Sequence, residues 1–213
     1  MTVNVAVDLT GALGPVRDQG ARGSCLAFAL SELHRHKHGI AGLLSPEYLY
    51  RAAAAVTPGW VPMGGLPVSA GLSAVAAPGQ PEEAHCPYQP HEPTAPPTVP
   101  AGSFSLFTSP GAQRGVSMAQ VKAAIQGGTP IGLVLKLTGT FFAPVDGLIV
   151  FPAPLAPTNA VHAVVAAGLG IDSVLGDCIL IRNSWGETWG DKGDAWVPAS
   201  YVQQHGLSMF EVN

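Results

Sequence analysis

Gln19-Gly20-Ala21-Arg22-Gly23-Ser24-Cys25-Leu26-Ala27-Phe28 carries a glycine-rich loop into a cysteine and then into an apolar, helix-forming segment. A cysteine in the first turn of a helix feels the positive end of the helix dipole, which lowers its pKa and raises the fraction of nucleophilic thiolate. Gly20 and Gly23 allow backbone geometry that a Cβ would forbid and let another chain lie close to the sulfur. The amide N–H of Gln19 and the backbone N–H of Cys25 are the donors that could stabilise an oxyanion on an attacked carbonyl. These parts suit acyl transfer through a thiol. The same stretch predicts a helix from Cys25 to about His38, with Gly39 where a C-cap belongs.

Outward from this segment, Val3, Val5 and Val7 alternate ahead of Gly14-Pro15-Val16-Arg17-Asp18, which reads as a strand or extended arm leading into the loop. Ser45-Pro46-Glu47 supplies an N-cap, a proline at the first helical position and an acid in the first turn, for a helix over about Pro46 to Ala55. A further apolar helix is expected from Val68 to Ala76. Between Pro87 and Pro100 prolines recur (Pro87, Pro90, Pro93, Pro96, Pro97, Pro100), so this piece reads as extended surface chain and as a crossing between lobes. Ser117-Met118-Ala119-Gln120 opens a short helix that Gly127-Gly128 ends. Beyond it the pattern turns β-like: Ile131 to Leu137, Leu148 to Phe151, Ala160 to Ala167, Cys178 to Arg182 and Asp194 to Pro198, separated by turn residues. The expected class is α+β, a mainly helical lobe over about 10–110 and an antiparallel, barrel-like β lobe over about 111–213, with a cleft between them and the N-terminal arm packing across.

Two later strings complete a chemistry. A thiol nucleophile needs a base, and His162 stands at the start of a strand in Asn159-Ala160-Val161-His162-Ala163-Val164-Val165. The second string is Ile179-Leu180-Ile181-Arg182-Asn183-Ser184-Trp185-Gly186-Glu187-Thr188-Trp189-Gly190. Together with Q-G-x-x-G-S-C-x-A-F at the nucleophile, these segments closely resemble those of the papain-like cysteine peptidases. The separation of Cys25 from His162 also falls in the range of about 130–150 residues that this family uses. The resemblance implies that Asn183 accepts a hydrogen bond from His162 and that Trp185 covers that bond; simple core packing is the plainer alternative for both tryptophans, Trp189 above all. It implies a peptide or protein substrate held by Gly23, Gly64 and Gly65, with Leu66, Pro67, Val134, Ala160, Val161, Ala163 and Phe210 around the pocket for the second residue before the cleaved bond. None of these pocket residues carries a charge, so an apolar side chain is the expected occupant. Gly64-Gly65 alone would be a plain turn signal; the helix after it and the Cys86-Pro87-Tyr88 run, also family-like, favour the substrate role.

The chain also departs from the family. Leu26 stands where relatives usually have an aromatic residue, which could widen the cleft or loosen the helix start. Arg22 stands where secreted relatives anchor a disulfide, and the cysteines are odd in number (Cys25, Cys86, Cys178), so a fold held by packing is expected. The resemblance begins at a mature domain, so an inhibitory prosegment or protein outside this chain is a candidate regulator. Ala-, Gly- and Pro-rich composition suits a GC-rich bacterial source.

With 11% charged residues and a formal net charge of −4, the chain has no basic footprint for nucleic acid. Gly and Pro interrupt every apolar run short of the ~20 residues a membrane-spanning helix needs. No signal peptide is visible, which leaves a cytoplasmic or an exported protein equally open. His34, His36 and His38 could suggest a metal, but basic side chains collect at helix C-termini for electrostatic reasons, and neither metal nor cofactor is expected. Two alternatives to peptide hydrolysis stand beside it: acyl transfer or amidase action by the same triad, and a catalytically silent binding module.

Overall fold

The structure, a computed structural model, describes residues 3–95, 97–150 and 157–213. Among these residues the elements are β1 (Asn4–Asp8), α1 (Cys25–His38), α2 (Pro46–Ala55), α3 (Val68–Ala76), β2 (Gly111–Arg114), α4 (Met118–Gln126), β3 (Ile131–Lys136), β4 (Val161–Asp172), β5 (Gly176–Arg182), β6 (Asp194–Pro198), α5 (Ala199–His205) and β7 (Gly206–Val212), an α+β set. They divide into two compact units. One comprises Met1–Asp18 with Arg114–Met209, the other Gln19–Gln113 with Phe210–Asn213.

The helical unit is built by its caps. Gly39 takes φ +60°, where its N–H reaches the carbonyls of Arg35 and His36 and closes α1. The Ser45 hydroxyl accepts the Tyr48 N–H at 2.9 Å and Pro46 occupies the first turn, so α2 starts where the sequence signals it. Leu26 and Leu30 of α1 pack against α3 at Gly71, where an added Cβ would lie 2.5 Å from a Leu30 methyl and 3.0 Å from one of Leu26. Leu26 is therefore buried in a helix seam, and the expected loosening of the helix start does not occur. His34 is also buried and its Nδ1 lies 3.1 Å from Gln80 Oε1; burial pushes its pKa down to about 4, so it is a neutral core residue and not a cationic helix end.

The proline-rich run does not cross between units. Its described residues lie within the helical unit, because Gln89 and Glu92 bond to buried Arg22 there; Pro96 lies outside the described residues.

In the β unit the sheet centres on β4. Antiparallel β3 pairs with its first half, Ile131 opposite Ala166 through Lys136 opposite Val161, and β1 takes over the same edge from Gly168 to Ile171. β5 runs along the other edge and pairs with β6. Strand neighbours follow the order β2-β7-β3-β4-β5-β6. Because both edges and both faces of β4 are covered, its residues 162 to 170 are continuously buried, the pattern of a central strand and not of a half-exposed one. One face carries Leu133, Leu135, Val164 and Ala166 into a core shared with Ile125, Ile179, Ile181, Trp189 and Tyr201.

Expected and observed strands do not match everywhere. Leu148 makes only isolated bridges, to Val145 and Trp196, around a turn in which Asp146 and Gly147 have positive φ, and Phe151 lies outside the described residues. The α5–β7 segment carried no expectation, since α5 has only seven residues and passes directly into a strand at Gly206.

The β1–β4 crossing supplies a stability test. At Gly168 an added Cβ would fall 2.7 Å from the Val7 carbonyl oxygen and 2.9 Å from Leu180 Cβ, and neither can move away without shifting a strand. Gly168→Ala is expected to destabilise the fold by about 1–3 kcal/mol in urea denaturation. An unchanged midpoint would mean that β1 is not docked as described.

Candidate active site

In the helical unit Cys25 is the first residue of α1 and is half-buried. The N-cap Ser24 turns its hydroxyl away from the helix; it lies 2.7 Å from the Tyr88 hydroxyl, which itself donates to the Gln19 carbonyl at 2.8 Å. Ser24 thus donates to Tyr88, and one phenol pins both ends of the loop that precedes the thiol. Within the loop the Gln19 amide donates to the Arg22 carbonyl at 2.7 Å, so this buried side chain is held in place, and Gly20 takes φ +60°. At Gly23 a side chain would be crowded, since a Cβ would stand 3.0 Å from the Gly65 nitrogen. Gly65 has φ +72° and Leu66 and Pro67 lead into α3.

In the β unit His162 sits at the end of the row Ala166, Val164, His162 that faces the core, paired across the sheet with Leu135. Its Nε2 lies 2.6 Å from Asn183 Oδ1. The Ser184 N–H also donates to that oxygen, at 2.8 Å, which fixes the amide so that Oδ1 and not Nδ2 faces the ring. An amide oxygen only accepts, so Nε2 carries the hydrogen and the lone pair of the neutral ring is on Nδ1. Trp185 covers the ring at 4.6 Å between centroids, Phe141 approaches edge-on at 6.0 Å, and exposed Phe142 stacks on Trp185. Burial pushes the His162 pKa down to about 4, against which the Asn183 bond works.

Asn183 directly follows β5, and the end of that strand is clamped: Arg182 bonds both carboxylate oxygens of Asp194 on β6 and donates to the Gly14 carbonyl at 2.8 Å. Gly186 donates to the Arg17 carbonyl and Trp189 Nε1 to that of Phe141, at 3.0 Å each, which gives Trp189 a structural place in the core.

Of the other residues singled out in the sequence, Val134 and Ala163 stand opposite each other on the sheet face away from His162, and Val161 on that face is exposed. Ala160 accepts the Leu137 N–H just before β4. Gly64 lies beside Gly65 in the helical unit, and Phe210, wholly buried, belongs to that unit as well. Cys86 and Cys178 are buried free thiols whose pKa values burial raises. Phe141, Gln89 and Glu92 carry no local pattern that could have marked them; Tyr88 stands in the family-like Cys86-Pro87-Tyr88 run and Glu47 in the start signal of α2, but neither string points to the loop it holds, and Arg22 itself was visible only as a departure from a resembled motif.

A family model described as papain family cysteine protease matches residues 4–209, and the chain belongs to that family. It is 28% identical over 188 residues to the thiol protease aleurain of Arabidopsis thaliana, covering 86% of this chain and 52% of that protein. It is 32% identical over 73 residues to digestive cysteine proteinase 3 of Homarus americanus, 34% of this chain and 22% of the relative. The chain therefore spans about half the length of the first of these curated relatives and less of the second. Among solved structures, xylellain, a cysteine protease from Xylella fastidiosa, superposes with a TM-score of 0.81 at 22% identity over all of this chain and 87% of the other. Digestive procathepsin L 3 of Tenebrio molitor larval midgut gives 0.80 at 20% identity, over all of this chain and 70% of the other. These likenesses establish a papain-like fold.

The depressed His162 pKa has a measurable consequence once the thiol is removed. In Cys25→Ala, the His162 ring is expected to titrate at about 4 by NMR. Between that value and the ~6.5 of an unfolded histidine the unfolded chain binds one proton more than the native one, so this group's contribution is complete above about pH 6.5 and lost as pH falls towards 4. A ring that titrates at 6.5 in this variant would show that His162 is solvated.

Proposed function

We propose that the chain is a cysteine peptidase in which Cys25, His162 and Asn183 act as one triad. The observation that carries this reading is the His162–Asn183 bond, which leaves Nδ1 as the basic nitrogen and orients it through an amide that does not titrate. In the proposed cycle Nδ1 holds the proton of Cys25 and the thiolate sulfur attacks the carbonyl carbon of a peptide bond. The carbonyl oxygen becomes an oxyanion that receives hydrogen bonds from the Gln19 amide and the Cys25 backbone N–H. Collapse breaks the C–N bond while Nδ1–H protonates the leaving amine. Water then attacks the thioester, giving its proton to Nδ1, and releases the acid and the thiol.

Burial alone holds His162 neutral, and a thiolate partner supplies the opposite charge that restores the imidazolium. The pair titrates as one unit, so activity is bell-shaped in pH, with the acid limb reporting loss of the thiolate and the alkaline limb loss of the imidazolium. Asn183 orients without titrating, so Asn183→Ala is expected to lower kcat less than His162→Ala. The direct test is a tagged mechanism-based thiol probe followed by mass spectrometry. Cys25 should be labelled in the folded protein and not in the unfolded one or in His162→Ala; labelling that ignores unfolding would leave an ordinary thiol.

Selectivity follows from the uncharged positions Leu66, Pro67, Val134, Ala160 and Ala163, with Phe210 as the far wall. We assign them to the pocket for the second residue before the cleaved bond. Burying a Leu or Val side chain there gains about 25 cal/mol per Å², whereas Lys or Arg loses hydration without meeting a carboxylate. Val161, the residue before His162, supplies no acid either. Fluorogenic peptides that differ only at that position should give a higher kcat/KM for Leu than for Arg, and equal values would remove these residues from the pocket.

A further inference from the structure

Three residues before Cys25, Arg22 is buried between the rings of Tyr50 and Tyr88, 4.8 Å from each centroid. Its guanidinium is paired with Glu47 of α2 and, at 3.0 Å through Nε, with Glu92 of the proline-rich run; it also donates to the Gln89 carbonyl at 2.6 Å. Burial works against the charge, but the hydrogen bond and charge of Glu47, with Tyr88 and Glu92, outweigh it and hold the pKa above the ordinary arginine value. Arg51 bonds the other Glu47 oxygen at 2.7 Å, so two cations face two carboxylates.

Glu92 is the member that reaches furthest. One of its oxygens takes Arg22; the other accepts the Tyr50 hydroxyl and, at 3.0 Å, the backbone N–H of Met63. Met63 has φ +62°, a left-handed conformation that costs a non-glycine residue about 1–2 kcal/mol and persists only where its surroundings hold it. It opens Met63-Gly64-Gly65, whose last residue makes the close approach to Gly23. A single carboxylate thus ties the backbone of the glycine edge to the loop that carries the nucleophile.

We propose that Glu92 is a positioning residue: through Arg22 on one side and the Met63 N–H on the other, it sets the register of the Gly64–Gly65 edge against the Arg22–Cys25 loop, and so governs the affinity for an extended peptide. The proposal deepens the peptidase reading and rests on it for the identity of the ligand. It assigns the proline-rich run a function at the site although none of its residues belongs to the proposed triad. Loss of the carboxylate should weaken peptide binding and leave the thiol's chemistry intact, because the side chains of the proposed triad are not among its partners.

Glu92→Gln keeps the size and one carbonyl acceptor, and Glu92→Ala removes both oxygens. Three quantities are compared with the wild type: KM and kcat on a Leu-containing fluorogenic peptide, the alkylation rate of Cys25 by iodoacetamide, and amide hydrogen exchange of residues 63–66. Glu92→Ala is expected to raise KM about tenfold, the loss of one charge-assisted contact, with kcat and alkylation within about threefold and faster exchange at 63–66. Glu92→Gln should lie between. A role in stability alone would instead lower the folded fraction and leave KM and local exchange unchanged, and that result overturns the proposal. Should Glu92→Ala fail to fold because it strands the Arg22 charge, Glu92→Gln carries the same three comparisons. Should the wild type cleave no peptide, the peptidase reading fails by itself, while the Glu92 tether is still decided by exchange at 63–66: unchanged rates there reject it.

Discussion

His162 occupies the last position of a row of side chains that faces the core of the β unit, and much of that unit's local architecture answers the problem this creates. A ring placed on the core side of a central strand loses water on nearly every side, so its charged form becomes costly and each of its nitrogens needs a defined task. Asn183 takes Nε2, and the Ser184 N–H fixes which end of the Asn183 amide faces the ring. Arg182 bonded to Asp194 and Gly14 holds the end of β5 from which Asn183 projects, and Trp185 and Phe141 keep the ring dry. The depressed pKa is the cost of this placement, and the lone pair left on Nδ1 is its chemical product.

The helical unit solves a different problem, holding a loop of glycines still without giving it side chains to pack. Gly20 and Gly23 cannot contribute buried area, so the loop is secured from outside, by the Tyr88 hydroxyl on Gln19 and Ser24 and by the Arg22 cluster. The Gln19 amide bonds back to the Arg22 carbonyl, so a side chain assigned to the oxyanion is held by the loop's own backbone. Much of the rigidity here comes from long-range polar contacts.

Legibility in the sequence follows the range of the interactions. The end of α1, the start of α2 and both ends of α4 were legible because Gly39, Ser45, Pro46, Ser117 and Gly127 act within one helical turn. β3, β5 and β6 were legible as short apolar runs between turn residues. β4 runs past its expected end at Ala167 to Asp172, because β1 covers it there, and nothing in Gly168-Leu169-Gly170 announces that partner. α5 and β7 escaped because they meet without a turn signal. Of the site, Cys25, His162 and Asn183 stand in recognisable strings, whereas Glu92 lies 70 residues from Arg22 in a segment that reads as a passive connector. Charge pairs at that separation leave no periodic trace.

The sparse charge of the chain gives this last point its weight. Only 11% of residues are charged, yet buried or half-buried ion pairs lie on the Arg22 loop and at the Asn183 end of β5. Buried pairs contribute little net stability, because removing two ions from water offsets most of their attraction, but losing one partner strands the other and costs about 3–5 kcal/mol. Such a pair discriminates between geometries far more than it stabilises any one of them. A hydrophobic cluster in the place of Arg22, Glu47 and Glu92 would tolerate small slips of the loop against the glycine edge. A carboxylate that must serve Arg22, Tyr50 and the Met63 N–H together tolerates few, and in a loop without side chains to pack that intolerance is what fixes the register.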